Sequence, residues 1–251
     1  MELDIDQGNT RLKWRFSRQS MQHGSVESLM QTVRTSRLVR VRMVSVVSNS
    51  RQQQLISLIV VASSLPVTWS IAKSTAECMG VINGYDNPAQ LGPDRWCALV
   101  AATLEYKPRG RGLVVLGCGS ACTVDFVDSN KHHLGGWIAP GTAALKHGLR
   151  DCTNLSFDAA SDDASLPLGH ATNSCVHLGC STMSKGFITQ VVREAERQFG
   201  NKWVLVMHGG DAETMARYLP EHITCFMAAE LVFDGLAYVC GRETQLSSKL
   251  S

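Results

Sequence analysis

This 251-residue sequence lacks several features, and each absence excludes a class of protein. Its nine cysteines are odd in number and include no C-x-x-C pair, which argues against a disulfide framework and a zinc site. The longest apolar stretch, LISLIVVASSL (55–65), is too short to span a bilayer. The N-terminus has neither a basic start nor an apolar core, so it does not resemble a signal peptide. We therefore expect a cytoplasmic protein with reduced, mostly buried thiols and no membrane partner.

Strong charge is also missing. The net charge is +2 and no basic stretch is long, so we expect no nucleic-acid partner. The arginine-rich run RLVRVRM (37–43) alternates with apolar residues, as in a strand with one solvent-facing side. Neither G-x-x-x-x-G-K-[ST] nor G-x-G-x-x-G occurs, so two common phosphate-binding motifs are excluded. Hydrophobic residues make up 44% of the chain, which is enough for a substantial core.

One strand-and-turn pattern occurs twice. LDIDQGNTRLKWR (3–15) and VVLGCGSACTVDFVD (114–128) each indicate an apolar strand, a glycine turn and a second strand. When the two are aligned, Gly8 matches Gly119, Asn9 matches Ser120 and Asp6 matches Gly117. The stretch KPRGRG (107–112) interrupts the chain near its midpoint. We predict a duplication that gives two α/β domains, 1–109 and 110–251.

Periodicity predicts the elements around these turns. Alternating or apolar runs predict strands at 2–6, 14–16, 37–49, 67–73, 112–117, 123–128 and 202–208. Helical spacing predicts helices at 51–65, 94–106, 185–199 and 228–240. His132 and His133 fall in a predicted turn, where we expect solvated side chains.

Glycine turns of this kind suit phosphate binding, because backbone N–H groups can approach the phosphate closely. Asp6 would repel a phosphate directly, but it could hold Mg²⁺ that contacts the phosphate. Lys13, on the same predicted hairpin, would add positive charge. The alternative is that both are ordinary hairpin turns, which are commonly rich in Asn and Gly.

A candidate general base lies at a predicted helix start. Pro93 suits the first turn of the helix, and Asp94 follows it. The helix N-terminus favours ionised Asp94 by roughly 0.3–1 kcal/mol, so Asp94 could accept a proton from a hydroxyl. Arg95 could bind an anionic substrate. The alternative is that Asp94 only complements the helix dipole and that Arg95 is a solvated surface charge.

Six stretches, in order and spacing, resemble the type III pantothenate kinases, the CoaX or Bvg accessory factor type. They are DIDQGNTRLKWR, NGYDNPAQLGPDRWCALVAA, GCGSACTVD, HLGGWIAPG, HGGDAE and LVFDGLAYV. The resemblance implies the actin-like ATPase (ASKHA, ribonuclease H-like) fold, with two duplicated domains and ATP in the cleft between them. It also implies transfer of the γ-phosphoryl group of ATP to the primary hydroxyl of pantothenate, the first step of coenzyme A biosynthesis. The family acts as a homodimer with Mg²⁺ and a monovalent cation, K⁺ or NH₄⁺.

The resemblance also implies residue roles. Asp94 matches the family's proton acceptor, and Asp6 would hold the metal. The matching pantothenate contacts are Tyr85, Gly92, Pro93, Asp94 and Arg95, together with Thr172, which reaches pantothenate from the partner subunit. The matching ATP contacts are Asp6, Gln7, Gly8, Asn9, Thr10, Arg11, Leu12 and Lys13 in the first loop and Ser120 in the second.

The second loop departs from the family's D-x-G-T-A pattern. Ser120 keeps the hydroxyl, but Gly117 removes the carboxylate that holds the monovalent cation in the family, and His208 stands where the family usually has Thr. An alternative function is therefore a non-enzymatic regulator of the same fold that binds ATP and pantothenate. A third is a kinase that acts on another small hydroxy acid. We expect Cys118 and Cys122, beside this loop, to be buried packing residues.

Overall fold

The computed structural model describes residues 1–17, 19–158 and 167–247 and divides into two compact units. Unit 1 comprises Met1–Tyr106, Lys131–His133 and the C-terminal residues from Glu230, and unit 2 comprises Lys107–Asn130 and Leu134–Ala229. The expected boundary at residues 109 and 110 lies close to the first crossing, at Tyr106. The C-terminal helix and the short segment 131–133 follow this boundary in the sequence but belong to unit 1. The chain therefore crosses between the two units more than once.

Unit 1 is built on a five-stranded sheet with the order β3-β2-β1-β4-β5. Strand β1 is antiparallel to β2 and parallel to β4. The strands are β1 (Glu2–Gln7), β2 (Leu12–Phe16), β3 (Gln22–Gly24), β4 (Arg40–Ser45) and β5 (Thr68–Ile71), with a separate ribbon of β6 (Glu77–Cys78) and β7 (Val81–Ile82). The helices of unit 1 are α1 (Val26–Thr35), α2 (Asn49–Ala62), the 3-10 helix Pro88–Gln90, α3 (Pro93–Glu105) and α7 (Leu231–Ser247).

Unit 2 repeats this sheet order. Its strands are β8 (Gly112–Cys118), β9 (Ala121–Val127), β10 (His133–Pro140), β11 (Trp203–His208) and β12 (Cys225–Met227). They are ordered β10-β9-β8-β11-β12, with β8 antiparallel to β9 and parallel to β11. The helices of unit 2 are α4 (Thr142–Cys152), α5 (Thr172–Phe199) and α6 (Ala212–Ala216). Both sheets thus follow the order 3-2-1-4-5 within their own unit, as a duplication predicts.

Each unit has its own core, formed where apolar strand faces meet helices. In unit 1, Leu3, Ile5 and Met43 pack with Leu29 of α1 and Ile59 of α2. In unit 2, apolar residues of β8, β9 and β11 pack against one face of α5, which includes Ile188, Val191 and Ala195. Because the strands are held on their buried faces, the turns at their ends have fixed positions.

The start of α3 is fixed by close packing against α7. Every residue of α3 from Arg95 to Thr103 is buried. A Cβ at Gly235 of α7 would overlap the carbonyl oxygen of Cys97, so only glycine allows this approach. Arg15 also holds α7, because its Nη1 donates to Glu230 Oε2 and Asp234 Oδ1, both at 2.8 Å.

The predicted strands and helices are found, but the helix expected at 185–199 begins much earlier, at Thr172. The first half of α5 buries His177 and Ser184 alongside Val176 and Cys180. Polar residues on the buried face interrupt the apolar spacing there, and the sequence therefore underestimates the helix. Helices α1 and α4 were not predicted; none of the residues of α4 is fully buried.

Candidate active site

The first glycine turn connects β1 and β2 and places Asp6 opposite Lys13. The strand register pairs these two residues, and Lys13 Nζ lies 3.6 Å from Asp6 Oδ2. The turn is closed by the Gly8 N–H, which donates to the Arg11 carbonyl at 3.0 Å. Asn9, Thr10 and Arg11 are exposed at the tip. The hairpin thus presents backbone N–H groups, a lysine and a carboxylate at one end of the sheet.

Asp6 has an unusual electrostatic environment. Its side chain is only 15% exposed, and burial raises its pKa from the ordinary value of 3.8 to about 6. The negative charge of Asp94 raises this pKa further, whereas Lys13 lowers it. Asp6 and Asp94, 88 positions apart in the sequence, are therefore close enough in unit 1 to repel each other. A cation at this point would offset the repulsion.

Two residues of the first loop face the interior of unit 1. The Gln7 side chain is buried, and its amide donates to the Arg51 carbonyl at 3.3 Å and accepts from the Ser45 hydroxyl at 3.0 Å. Leu12 packs against the core of unit 1. Their side chains hold the hairpin in place, which leaves only their backbone groups for a ligand.

Asp94 lies in the first turn of α3, after the N-cap Gly92 and Pro93. Its Oδ1 accepts from the Arg95 backbone N–H at 2.8 Å. A Cβ at Gly92 would lie 2.7 Å from this oxygen, so glycine leaves the room that the carboxylate uses. The half-buried Asp94 carboxylate is thus held at a helix N-terminus, which favours its ionised form.

Arg95 is not a solvated surface charge. It is 8% exposed, its Nη1 donates to Tyr85 Oη at 3.0 Å, and its guanidinium carbon lies 5.8 Å from the Tyr85 ring centroid. This contradicts the alternative in which Arg95 is solvated. The structure therefore brings Tyr85 and Arg95 together beside Asp94, as the resemblance implies for a substrate site. The planar guanidinium group matches the geometry of a carboxylate.

The loop that carries Tyr85 is organised by Asn83, which sequence reasoning did not single out. The buried Asn83 side chain donates from Nδ2 to the carbonyls of Thr75, at 3.1 Å, and Pro88, at 3.3 Å. Its Oδ1 accepts from the Tyr85 backbone N–H at 3.1 Å. The signal was available, because Asn commonly bonds to the backbone two residues further on in turns.

His133 contradicts its sequence-based prediction. It was expected to be solvated but is 2% exposed, whereas His132 is exposed. The His133 ring stacks on Tyr85, with centroids 5.8 Å apart and planes at 18°, and its Nδ1 accepts from the Gly84 N–H at 3.4 Å. His133 is buried because segment 131–133 belongs to unit 1, where the Ile82 N–H donates to the Lys131 carbonyl at 3.0 Å.

The second glycine turn, in unit 2, connects β8 and β9. Its register pairs Cys118 with Cys122, and the Gly119 N–H donates to the Ala121 carbonyl at 3.1 Å. Ser120 is exposed at the tip, and its carbonyl accepts from the Gly141 N–H at 3.0 Å. Both cysteines are buried, and burial raises the pKa of each thiol. They are protonated packing residues, as expected.

The two departures from the family pattern are neighbours in space. The register of β8 and β11 pairs Gly117 with His208. A Cβ at Gly117 would lie 2.7 Å from Thr123 Oγ1 and 3.0 Å from His208 Nε2. The imidazole therefore occupies the space into which a side chain at 117 would extend. The sequence showed two separate differences, and the structure shows that they are adjacent in space.

Thr172 lies at the exposed start of α5, and the helix continues along a cavity of unit 2. The cavity, of about 660 Å³, is lined by residues of α4 and α5 that include Leu145, Val176, Cys180 and Met183. The Met183 side chain is 60% exposed. This surface is apolar and is continuous with the helix that carries Thr172.

The acidic residues near the first glycine turn suit a Mg²⁺ ion that is held mainly by the phosphates of a bound substrate. Within residues 1–17, 19–158 and 167–247, no group of three or more His, Cys, Asp or Glu side chains could hold a metal ion by itself. Mg²⁺ is usually bound by one or two carboxylates together with substrate phosphates. Asp6 is half-buried, and the nearby charge of Asp94 disfavours its ionised form. A carboxylate in this position fits that donor set, because a cation would offset the repulsion. Among the described helices, none is both long and apolar enough to cross a membrane.

Comparisons with known proteins identify the family. The family model of type III pantothenate kinase matches residues 2–194. A type III pantothenate kinase of Azotobacter vinelandii is 37% identical, over 96% of this chain and 98% of its own. A type III pantothenate kinase of Pseudomonas savastanoi pv. phaseolicola is 35% identical, over 96% of this chain and 99% of its own.

Two solved structures share the fold. A putative Baf family transcriptional activator from Campylobacter jejuni aligns over 97% of this chain and 99% of its own, with a TM-score of 0.59 and 19% identity. A putative 2-dehydro-3-deoxygalactonokinase from Sinorhizobium meliloti aligns over 97% and 99%, with a TM-score of 0.56 and 12% identity. With the sheet order that both units share, these likenesses show the duplicated α/β fold of actin-like ATPases.

Proposed function

The chain belongs to the type III pantothenate kinase family, and from that premise we propose which of its residues carry out the reaction. The reaction is the ATP-dependent phosphorylation of pantothenate, the first step of coenzyme A biosynthesis. Phosphoryl transfer requires little covalent chemistry from a protein, so catalysis depends on positioning and on charge neutralisation. The observation that carries the proposal is the grouping of Asp94, Asp6, Arg95 and Tyr85 within unit 1.

Asp94 is the proton acceptor in this proposal. Its carboxylate takes the proton of the primary hydroxyl of pantothenate while that oxygen attacks the γ-phosphorus of ATP. The bond between this phosphorus and the bridging oxygen breaks, and ADP leaves. Asp94 lies at a helix N-terminus, which favours negative charge, and the absence of a Cβ at Gly92 leaves space for its carboxylate.

Arg95 binds the substrate carboxylate. Tyr85 accepts one guanidinium N–H at 3.0 Å and thereby holds the group, and a guanidinium suits the paired oxygens of a carboxylate. Gly92 and Pro93 complete the wall at the helix start, and Thr172 is proposed as a contact from the partner subunit. The third hypothesis, another small hydroxy acid, predicts the same carboxylate contact, so competition with pantothenate distinguishes the two substrates.

The first glycine turn binds the ATP phosphates through its backbone N–H groups and Lys13, and Asp6 holds Mg²⁺. When bound, Mg²⁺ neutralises charge on the phosphate oxygens. Because the pKa of Asp6 is about 6, its carboxylate is ionised and available at neutral pH. Asn9, Thr10 and Arg11 are exposed at the same tip, and Ser120 is proposed as a further ATP contact through its hydroxyl.

A homodimer, a cytoplasmic location and a monovalent cation, K⁺ or NH₄⁺, complete the proposal. The exposed apolar surface of α4 and α5 beside Thr172 supports the dimer. The nine free cysteines support a reducing compartment. A carboxylate at position 117 cannot hold this cation, because Gly117 has none and His208 lies where it would extend. Turnover measured with K⁺, NH₄⁺ and Na⁺ tests this requirement.

The decisive experiment is a coupled ADP-release assay with pantothenate on the wild type and Asp94→Asn. Loss of the base is expected to lower kcat by about 100- to 10,000-fold, with little change in the binding of ATP. Asp86→Asn, at an exposed acid in the loop that precedes α3, is the matched control and is expected to retain wild-type rates. Wild-type rates in Asp94→Asn would contradict the assignment. Binding of both ligands by the wild type without ADP release would favour the non-enzymatic regulator.

A further inference from the structure

His133, Tyr85 and Arg95 form a row of side chains within unit 1. The His133 and Tyr85 rings stack at 5.8 Å, and Tyr85 Oη accepts from Arg95 Nη1 at 3.0 Å. We propose that His133 is a positioning residue for the substrate, acting through Tyr85 to orient the Arg95 guanidinium. This inference rests on the proposed function, in which Arg95 binds the carboxylate of pantothenate.

The row determines the direction of the guanidinium. Arginine has several rotatable bonds, so a buried guanidinium is aimed by its hydrogen-bond partners. Tyr85 Oη is such a partner, and the plane of the Tyr85 ring decides where that oxygen lies. The imidazole lies nearly parallel to this ring, at 18°, and therefore limits the tilt of the ring.

His133 also holds the loop backbone. Its Nδ1 accepts from the Gly84 N–H, next to Tyr85 in the sequence, at 3.4 Å. Asn83 fixes the same loop from the other side through the Tyr85 N–H. Tyr85 is thus held by its ring and by its backbone, and His133 contributes to both.

Tyr85 and His133 are separate from one apolar cluster of unit 1. Neither Tyr85 nor His133 belongs to the cluster of apolar residues that α1, α2 and the sheet of unit 1 enclose. Truncation of His133 therefore leaves the apolar packing of that cluster in place. The expected effect is local and concerns the substrate that Arg95 binds.

Three variants separate the two contacts of His133. His133→Ala removes both, His133→Phe keeps a ring to stack on Tyr85, and His133→Asn keeps an acceptor for the Gly84 N–H. Stacked aromatic pairs correspond to a change of about 2- to 10-fold in binding, so His133→Ala should raise KM for pantothenate by that factor. KM for ATP should change by less than about 2-fold. His133→Phe should recover most of the loss.

A double-mutant test distinguishes positioning from general destabilisation. In a Tyr85→Ala background, His133→Ala should raise KM for pantothenate little further, because it acts through Tyr85. The control is His132→Ala, at the exposed histidine that precedes His133 in the sequence, and it should behave as wild type. Circular dichroism verifies that each variant is folded, and His133→Asn, which also lacks the stacked ring, decides the matter if His133→Ala is not folded.

The results that would overturn the inference are specific. An unchanged KM for pantothenate in folded His133→Ala and His133→Asn would refute it. The inference would also be refuted if His133→Ala raised KM for pantothenate and KM for ATP equally and its effect added to that of Tyr85→Ala. Such a result would indicate a purely structural role. Arg95→Ala separates failure of the proposed function from failure of the inference about His133. If Arg95→Ala leaves KM for pantothenate unchanged, the proposed carboxylate contact itself is wrong. If Arg95→Ala raises KM and the His133 variants do not, only the inference about His133 fails.

Discussion

Replacement of Asp6 by Asn should stabilise the protein while removing its activity. In the folded state, burial and the charge of Asp94 raise the pKa of Asp6 from 3.8 to about 6. Ionised Asp6 is therefore less favourable in the folded chain than in the unfolded chain. By linkage, this difference in pKa corresponds to about 3 kcal/mol.

Because the pKa of Asp6 is higher in the folded state than in the unfolded state, the stability of the protein depends on pH. Between pH 3.8 and about 6, the folded state binds more protons at Asp6 than the unfolded state does. The contribution of Asp6 therefore destabilises the wild type increasingly as pH rises through this range and is constant above it. Asn resembles protonated Asp, so Asp6→Asn should remove the penalty at pH 8 and have little effect near pH 4.

The assay is denaturant-induced unfolding of wild type and Asp6→Asn at several pH values, with divalent metal chelated. The variant should be more stable at pH 8 by about 2–3 kcal/mol, and the difference should vanish towards pH 4. Addition of Mg²⁺ and ATP should stabilise the wild type more than the variant. Asp86→Asn, at an exposed position, should show no such pH-dependent gain. A variant less stable than wild type at pH 8, or a gain that does not depend on pH, would refute the reasoning.

Three further substitutions test other parts of the structure. Gly117→Asp should destabilise unit 2 by about 1–3 kcal/mol in thermal unfolding, because its Cβ would lie 2.7 Å from Thr123 Oγ1; unchanged stability together with higher turnover would contradict this. Gly235→Ala should cost a similar amount by overlap with a carbonyl of α3, whereas Gly241→Ala, at an open position of the same helix, should be neutral or stabilising. Met183→Glu should convert a dimer to monomers in light scattering, since it places a charge on the apolar surface of unit 2; an unchanged dimer would place the interface elsewhere.

The sequence predicts features that depend on short-range pattern. The two glycine turns, matched at Gly8 and Gly119, correctly indicate a duplicated strand-turn-strand unit, because turn chemistry is local. Pro93 correctly marks the start of α3. Helix α1 was missed although its signal is present, with Ser25 as N-cap and Leu29, Met30 and Val33 buried on one face.

Features that depend on long-range contacts could not be predicted in this way. His133 reads as a turn residue, since nothing within its own stretch shows that it stacks on Tyr85. The proximity of Gly117 and His208 becomes visible only from the register of β8 and β11. Likewise, the raised pKa of Asp6 depends on its burial and, to a smaller extent, on the charge of Asp94, and only the fold produces both.

The membership of α7 in unit 1 has a consequence for synthesis of the protein on the ribosome. The strands of unit 1 emerge first, but α7, which covers α3 and binds Arg15, emerges only after all of unit 2. Until then the apolar side of α3 has no cover and is exposed to chaperones or to association with other nascent chains. The later-made unit 2 can therefore complete its folding before the earlier-made unit 1 does.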